Sequence, residues 1–400
     1  VRRFFEPSVV PGVNVVGYFS SESGVGRAAR AVVAGLDAAG IPVHPVHPPD
    51  TPPSRQGVRY ATIDAARAGF PVNLMCVTAL ETPSVVAAIG PEFFARRHTI
   101  GLWWWEVEAF PPEMHPAFAH VDEVWCGSRH IADAIGSVAG GVPVHEIRVP
   151  VPPLRVRRRS RAALGLPQGF VFLTAFGYYS SIVRKNPVGA IDAFRRAFPE
   201  PGTGVSLVIK AIDHEAHPAE HAELLEAAAR HPDIHVLAGY VDEDEMGALL
   251  AASDAVVSLH RAEGFGFLPA EAMTLGIPVV ATGYSGSLAY MTPENAFLVA
   301  YQLRAIGPEG APYPAGGRWA EPDLADAAVQ LRRVVEDRAE ARRRADRARA
   351  DMVERFSPAG AGVTMRDALA GTGPFAPAAR RARLRAAALR ASRRRMALRA

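Results

Sequence analysis

The stretch Glu263-Gly264-Phe265-Gly266-Phe267-Leu268-Pro269-Ala270-Glu271-Ala272-Met273, entered from Ala255-Val256-Val257-Ser258-Leu259, decides how the chain is read. The entering residues form a short apolar run, the pattern of a buried strand. Glycines follow, and then a helical stretch with Pro269 near its first position, where a fixed φ and a missing N–H are favourable. Strand, glycine loop and helix in this order belong to an α/β fold with a parallel sheet. In such sheets ligands sit beyond the carboxyl ends of the strands. Backbone N–H groups at the helix start, from Gly264, Phe265, Gly266 and Phe267, are expected to form an anion site for which a diphosphate is the natural guest. Glu263 precedes the loop and reaches toward hydroxyls beyond the phosphate. Glu271 lies inside the helix and suits a vicinal hydroxyl pair such as a ribose. Both carboxylates also complement the helix dipole, so a structural role stands beside the ligand-binding one.

Upstream, Phe170 to Ala175 reads as another strand, followed by Phe176-Gly177-Tyr178-Tyr179 and then Val183-Arg184-Lys185-Asn186-Pro187. Asn186 is the expected N-cap and Pro187 the first helical residue. Arg184 and Lys185 then face the positive end of a helix dipole, which is unfavourable unless an anion joins them. A diphosphate would be that anion, held by charge-assisted contacts. Further strands are expected at Val205 to Lys210, Ile234 to Leu237 and Pro278 to Ala281. Asp242 with Glu245 three residues on is a capping pattern, so that acidic cluster reads as structural. Ile306 to Trp319, rich in Gly and Pro, reads as a surface excursion.

The first half repeats the alternation. Val13 to Tyr18, Ile41 to Val46, Val72 to Val77, Thr99 to Trp105 and Val121 to Cys126 read as strands, and Ser128 as the cap of a helix. Ser21 to Arg27 contains Gly24 and Gly26, but no third glycine follows. His44, not an acid, lies about twenty residues on, which argues against a nicotinamide site. At Trp103-Trp104-Trp105-Glu106 strand alternation would turn Trp104 one way and its two neighbours the other. Rings with a nearby carboxylate suit carbohydrate; hydrophobic packing is the equal alternative.

The 400 residues carry a formal charge of +3, with no field to steer the whole chain to nucleic acid or membrane. Their length suits two domains. Cys76 and Cys126 lie in apolar segments and read as buried free thiols of a reducing cytoplasm. No secretory signal and no apolar run approaching the roughly 20 residues of a membrane span is visible. The expected organisation is a first domain over 1–150, a Pro- and Arg-rich linker over 151–169, a second domain over 170–355, a crossover helix over 356–375 and a basic tail over 376–400. From Arg380 onward there are nine arginines and no carboxylate. That tail reads either as solvated chain or as a basic amphipathic helix on an anionic membrane surface. It lacks aromatic residues for base stacking, so no nucleic-acid partner is expected. No His, Cys and carboxylate set reads as a metal site; Asp213-His214-Glu215 reads as a solvated loop.

Glu263, seven residues, Glu271, and then Gly276-Ile277-Pro278-Val279-Val280-Ala281-Thr282 resembles the double-glutamate signature of retaining glycosyltransferases of family four. The resemblance extends from the Gly24 loop to the helices after Leu324. It implies a GT-B architecture: two Rossmann-like domains, acceptor side first and donor side second, with the donor cleft between them. It implies a nucleotide-sugar donor as co-substrate, no other cofactor, and transfer of a hexose-type sugar to a hydroxyl acceptor, a glycan or a lipid-linked one. In the family the first glutamate contacts the donor sugar and the second the ribose, which implies those roles for Glu263 and Glu271. Lys185 matches the family's phosphate-binding lysine. The family's other basic residue commonly follows the glycine directly, where Tyr178 stands after Gly177, so Arg184 is the expected substitute. Gly24 and Gly26 match the loop that faces the donor phosphate. The backbone of Tyr240 and Val241 matches the segment that reads the base. Trp105-Glu106-x-x-x-Phe110-Pro111 is similar to a run of some family members, which makes Glu106 the candidate beside the reacting sugar carbon. Two other readings stand: a sugar-nucleotide epimerase on the same architecture, and a non-enzymatic module using its basic tail.

Overall fold

The computed structural model describes residues 12–371, apart from 51 and 53. They form two compact units. Residues 12–104, 110–150 and 358–371 make the first; Trp105–Ala109 and Val151–Ser357 make the second.

The first unit holds six parallel strands: β1 (Val13–Gly17), β2 (Val43–Val46), β3 (Val72–Cys76), β4 (His98–Leu102), β5 (Glu123–Cys126) and β6 (Val144–Glu146). Their order is β2-β1-β3-β4-β5-β6. Every residue of β1 and β3 is buried, as expected for strands covered by helices on both faces. Val32, Val33 and Leu36 of the helix Gly24–Ala38 pack on Val13, Val15 and Leu74. Met365 and Leu369, from the helix Pro358–Gly371, join the same core. Cys76 and Cys126 are free and buried.

The second unit repeats the plan with β7 (Phe170–Gly177), β8 (Val205–Ile212), β9 (Ile234–Ala238), β10 (Ala255–Ser258), β11 (Val279–Thr282) and β12 (Phe297–Val299). All pairings are parallel, in the order β12-β11-β10-β7-β8-β9. Strand order reverses between β7 and β10, so the loops leaving these two strands diverge around a crevice at the carboxyl edge. An antiparallel hairpin, β13 (Tyr301–Ala305) with β14 (Arg318–Pro322), follows β12.

Several expectations need correction. β4 stops at Leu102 because the chain changes unit after Trp104, so the three tryptophans do not alternate along one strand. Trp103 is buried in the first unit, its Nε1 donating to Thr82 Oγ1 at 3.1 Å. Trp105 is buried in the second, 5.3 Å from the Tyr313 ring. The segment 151–169, which reads as a linker, is held by the second unit. Arg157 pairs with Asp244 at 2.8 Å, Arg159 with Glu245 at 3.5 Å and Arg161 with Asp254 at 2.7 Å. The residues 306–319 run partly over the surface as expected, but Ile306, Tyr313 and Trp319 are buried and anchor the segment. The basic tail lies outside the described residues.

Candidate functional site in the second unit

β7 and β10 are hydrogen-bonded neighbours, and their carboxyl ends bring Arg184 and Lys185 to Glu263. After β7 the chain makes the short turn Ile182–Lys185, then enters the helix Pro187–Ala197. Asn186 stands between them in the left-handed region, at φ 54°. Its Oδ1 caps Gly189 N at 3.1 Å, as its place in the sequence predicts, and its Nδ2 donates to Leu259 O at 2.9 Å. One asparagine thereby fixes the cationic turn to the strand that delivers Glu263.

Glu263 is buried and accepts from both cations. Lys185 Nζ lies 2.5 Å from its Oε1, and Arg184 Nη1 lies 3.1 Å from its Oε2. Arg184 Nη1 also donates to Ala262 O at 2.8 Å. Burial would raise the Glu263 carboxyl, but Lys185 and Arg184 overcome it and hold the group at about 2. The anion that the sequence asks for beside these cations is therefore supplied by Glu263 itself.

The loop after Glu263 is shaped from below. Glu263 N donates to Ser285 Oγ, and Gly286 N to Glu263 O, both at 2.8 Å. Ser285 adopts φ 69° to present these groups. A Cβ on Gly286 would lie 1.8 Å from Gly264 O, so only glycine admits the loop. Tyr290 Oη donates to the carbonyls of Phe265 and Gly266, at 3.0 and 2.5 Å. The helix begins at Phe267, two residues before the expected Pro269, with Gly266 at φ 85° as its N-cap. These two bonds fix the course of the loop into the helix start. Phe265 turns its ring into the core against Tyr290 and Phe356, so its side chain takes no part in the cradle. Glu271 is buried in the same helix.

The remaining expected residues fall in three places. Tyr178, in the position where the resemblance expects a base, is buried, stacks on His217 at 5.5 Å and reaches His221 Nδ1 at 3.0 Å. It is a packing residue, which leaves Arg184 as the buried cation of this loop. Gly177 ends β7 beside Asp213, and Asp213 accepts from Tyr240 Oη. Within the loop read as solvated, Asp213 is thus tied to Tyr240, next to Val241, while Glu215 is exposed. Gly24 and Gly26 belong to the first unit. Gly24 is exposed, with open space where a Cβ would stand. A Cβ on Gly26 would lie 2.4 Å from Ser21 O, so Gly26 is required for close packing of the loop on the helix.

Glu106 joins the second unit as part of Trp105–Ala109. Its Oε1 lies 3.8 Å from Arg184 Nη2, and its Oε2 accepts from Tyr313 Oη at 3.1 Å. Sequence reasoning missed Tyr313, and it missed His260. The His260 ring is fully buried, and Nε2 faces the Tyr284 carbonyl at 3.3 Å. A carbonyl only accepts, so Nε2 carries the proton and Nδ1 accepts from Ser258 Oγ at 3.0 Å. Burial pushes its pKa down to about 4. The signal available was its place two residues after β10. Among the described residues no group of three or more His, Cys, Asp or Glu could hold a metal ion. No described helix is long and apolar enough to cross a membrane.

Two Rossmann-like units with these orders define the GT-B glycosyltransferase architecture. Over residues 128–365 the chain matches the family described as Family 4 Glycosyltransferase in conflict systems, and it belongs to that family. Its fold is similar to HepE of Anabaena, solved with UDP and glucose, at a TM-score of 0.63 and 17% identity, covering 90% of this chain and 99% of that one. It is similar to sucrose-phosphate synthase of Thermosynechococcus elongatus at 0.63 and 15%, covering 89% and 98%. A UDP-forming trehalose-phosphate synthase of Burkholderia xenovorans gives 0.56 and 14%, covering 76% and 74%. At these identities the likeness is one of fold. None of the curated proteins matches the chain.

Proposed function

We propose that this glycosyltransferase moves a hexose-type sugar from a nucleotide-sugar donor to a hydroxyl acceptor with retention of configuration and without a metal ion. One observation carries the reading: two cations and a carboxylate converge at the strand reversal, beside a glycine-lined helix start. The donor diphosphate would take the N–H groups of Gly264 to Phe267 together with Arg184 and Lys185. It would replace Glu263 as the partner of both cations. The released carboxylate would then accept hydrogen bonds from sugar hydroxyls, with Glu271 on the ribose and the Tyr240–Val241 backbone at the base. The nucleotide bound in the Anabaena HepE structure supports a nucleoside diphosphate of this kind.

In the proposed reaction the bond between the anomeric carbon and the diphosphate oxygen breaks, and its electron pair stays on the phosphate. The acceptor oxygen attacks from the same face and its proton passes to the departing phosphate. Arg184, Lys185 and the helix start stabilise the negative charge that develops there, an effect commonly worth about 3 kcal/mol per well-placed donor. Glu106 stands with Arg184 as the group facing the anomeric carbon.

The test begins with a thermal-shift panel of UDP-, GDP-, ADP- and dTDP-sugars, since a ligand of the native state raises the melting temperature. Transfer from the stabilising donor should retain the anomeric configuration by NMR. It should be lost in Glu263→Gln, with the fold intact. An inverted product, or wild-type turnover in Glu263→Gln, would overturn the proposal. The basic tail as a membrane anchor is tested separately, by salt-dependent liposome binding of full-length and tail-deleted protein.

A further inference from the structure

The turn between β13 and β14 closes on the Glu106 segment at several points. Tyr313 Oη donates to Glu106 Oε2 at 3.1 Å. The Tyr313 ring stands 5.3 Å from the Trp105 ring and 5.9 Å from the Arg184 guanidinium. Arg318 pairs with Glu108 at 3.1 Å, and Tyr284 Oη reaches the other oxygen of Glu108 at 3.4 Å. The root of the hairpin is tied to the site loops as well. Arg261 takes Glu321 through two bonds of 2.8 Å, and its Nη1 donates to Val183 O at 2.6 Å.

From these contacts we infer that Tyr313 is a positioning residue for the transfer reaction, setting the carboxylate of Glu106 apart from Arg184. The two oxygens of Glu106 face different groups, one a guanidinium and the other a phenol. Burial keeps the Tyr313 phenol protonated, so the phenol donates and the carboxylate accepts. The 3.8 Å separation from Arg184 is longer than a charge-assisted hydrogen bond, and the Tyr313 bond opposes its closing. Loss of the hydroxyl would let Glu106 swing onto Arg184 in a closer pair. That pair would remove the carboxylate from the sugar and part of the guanidinium's charge from the leaving phosphate. The hairpin thus acts on catalysis through Glu106. The inference rests on the role proposed for Glu106.

The test is a double-mutant cycle of Tyr313→Phe and Glu106→Gln, which keeps the ring and the side-chain shape. The probe is UDP-glucose, or whichever of GDP-mannose, ADP-glucose and dTDP-glucose raises the melting temperature most. Release of nucleoside diphosphate and the urea unfolding midpoint are both read. In the wild-type background Tyr313→Phe should lower kcat about 10- to 100-fold, the worth of one hydrogen bond to a charged group, with donor KM changed less than about twofold. In the Glu106→Gln background the same change should cost less than about threefold. Equal losses in both backgrounds, on rate and on unfolding, would overturn the inference. Undiminished turnover in Glu106→Gln alone would instead overturn the reading of Glu106. A loss confined to KM would make Tyr313 a donor contact and not a positioning residue.

Discussion

His260 should give the second unit a pH dependence of its own. Its imidazole falls from the ordinary 6.5 to about 4, chiefly through burial. Above pH 6.5 neither folded nor unfolded chain holds a proton here, and the full stability is present. Between 6.5 and 4 the unfolded chain binds a proton that the folded ring refuses, so stability falls as pH falls. A tenfold weaker hold on a proton is worth about 1.4 kcal/mol, so the fall from 6.5 to about 4 costs about 3 kcal/mol by pH 4. Below that both states are protonated and the contribution stays constant. Glu263 acts in a lower window. Its carboxyl is depressed from 4.5 to about 2, so its contribution is present above 4.5 and lost between 4.5 and 2. His260→Gln separates the two, because a glutamine amide can still donate to Tyr284 O and does not titrate. Urea unfolding, read by hydrogen exchange of peptides spanning β10 and β11, should show a loss from pH 6.5 to 4.5 in the wild type that is absent in the variant. Equal losses in both proteins over that range would refute the reasoning.

Lys185→Ala should weaken binding of a nucleoside diphosphate by about 10- to 100-fold while leaving the nucleoside within about threefold, because a charge-assisted contact is lost at the phosphate alone; calorimetry with UDP and uridine, or the corresponding pair for the preferred base, checks it. Turnover should survive excess chelator; its loss, restored by magnesium or manganese, would contradict the metal-free proposal. Gly286→Ala should abolish donor binding and destabilise the second unit by about 1–3 kcal/mol or more, since the new methyl would stand 1.8 Å from Gly264 O and only a backbone shift relieves it. Thermal unfolding and a donor titration measure the two effects.

The strand, glycine loop and helix around Glu263 were legible because each part is specified locally, by apolar run, glycine and proline. Asn186 as a cap was legible for the same reason. Read from the sequence, β8 ends at Lys210, where a charge interrupts the apolar run. The strand continues to Ile212 because Lys210 Nζ finds the Gly239 carbonyl at the neighbouring strand's end. Tyr313 was hidden by its setting, since Gly and Pro around it suggest a surface loop, and its partner is 207 positions away. The direct pairing of Lys185 with Glu263 was likewise out of reach. Each charge looked poised for a ligand, and only the adjacency of β7 and β10 shows that they satisfy one another. The partners of three arginines of the supposed linker were out of reach of the sequence, because Asp244 and Glu245 lie in the first turn of a helix and Asp254 beyond its end, 87, 86 and 93 residues on.

The segment Trp105–Ala109 is made early and completed late. On a ribosome adding roughly 5–20 residues per second, the 207 residues between Glu106 and Tyr313 take roughly 10–40 s. For that interval Trp105 and Glu106 exist without the hairpin that will hold them. The first unit waits longer still, because Gly35 of its first helix packs on Met365. The second unit has all its residues only at Ser357, and the first only with the helix Pro358–Gly371. A chain interrupted before residue 313 would leave an aromatic, acidic segment uncovered, which gives chaperones and proteases a defined window in which to act on unfinished copies.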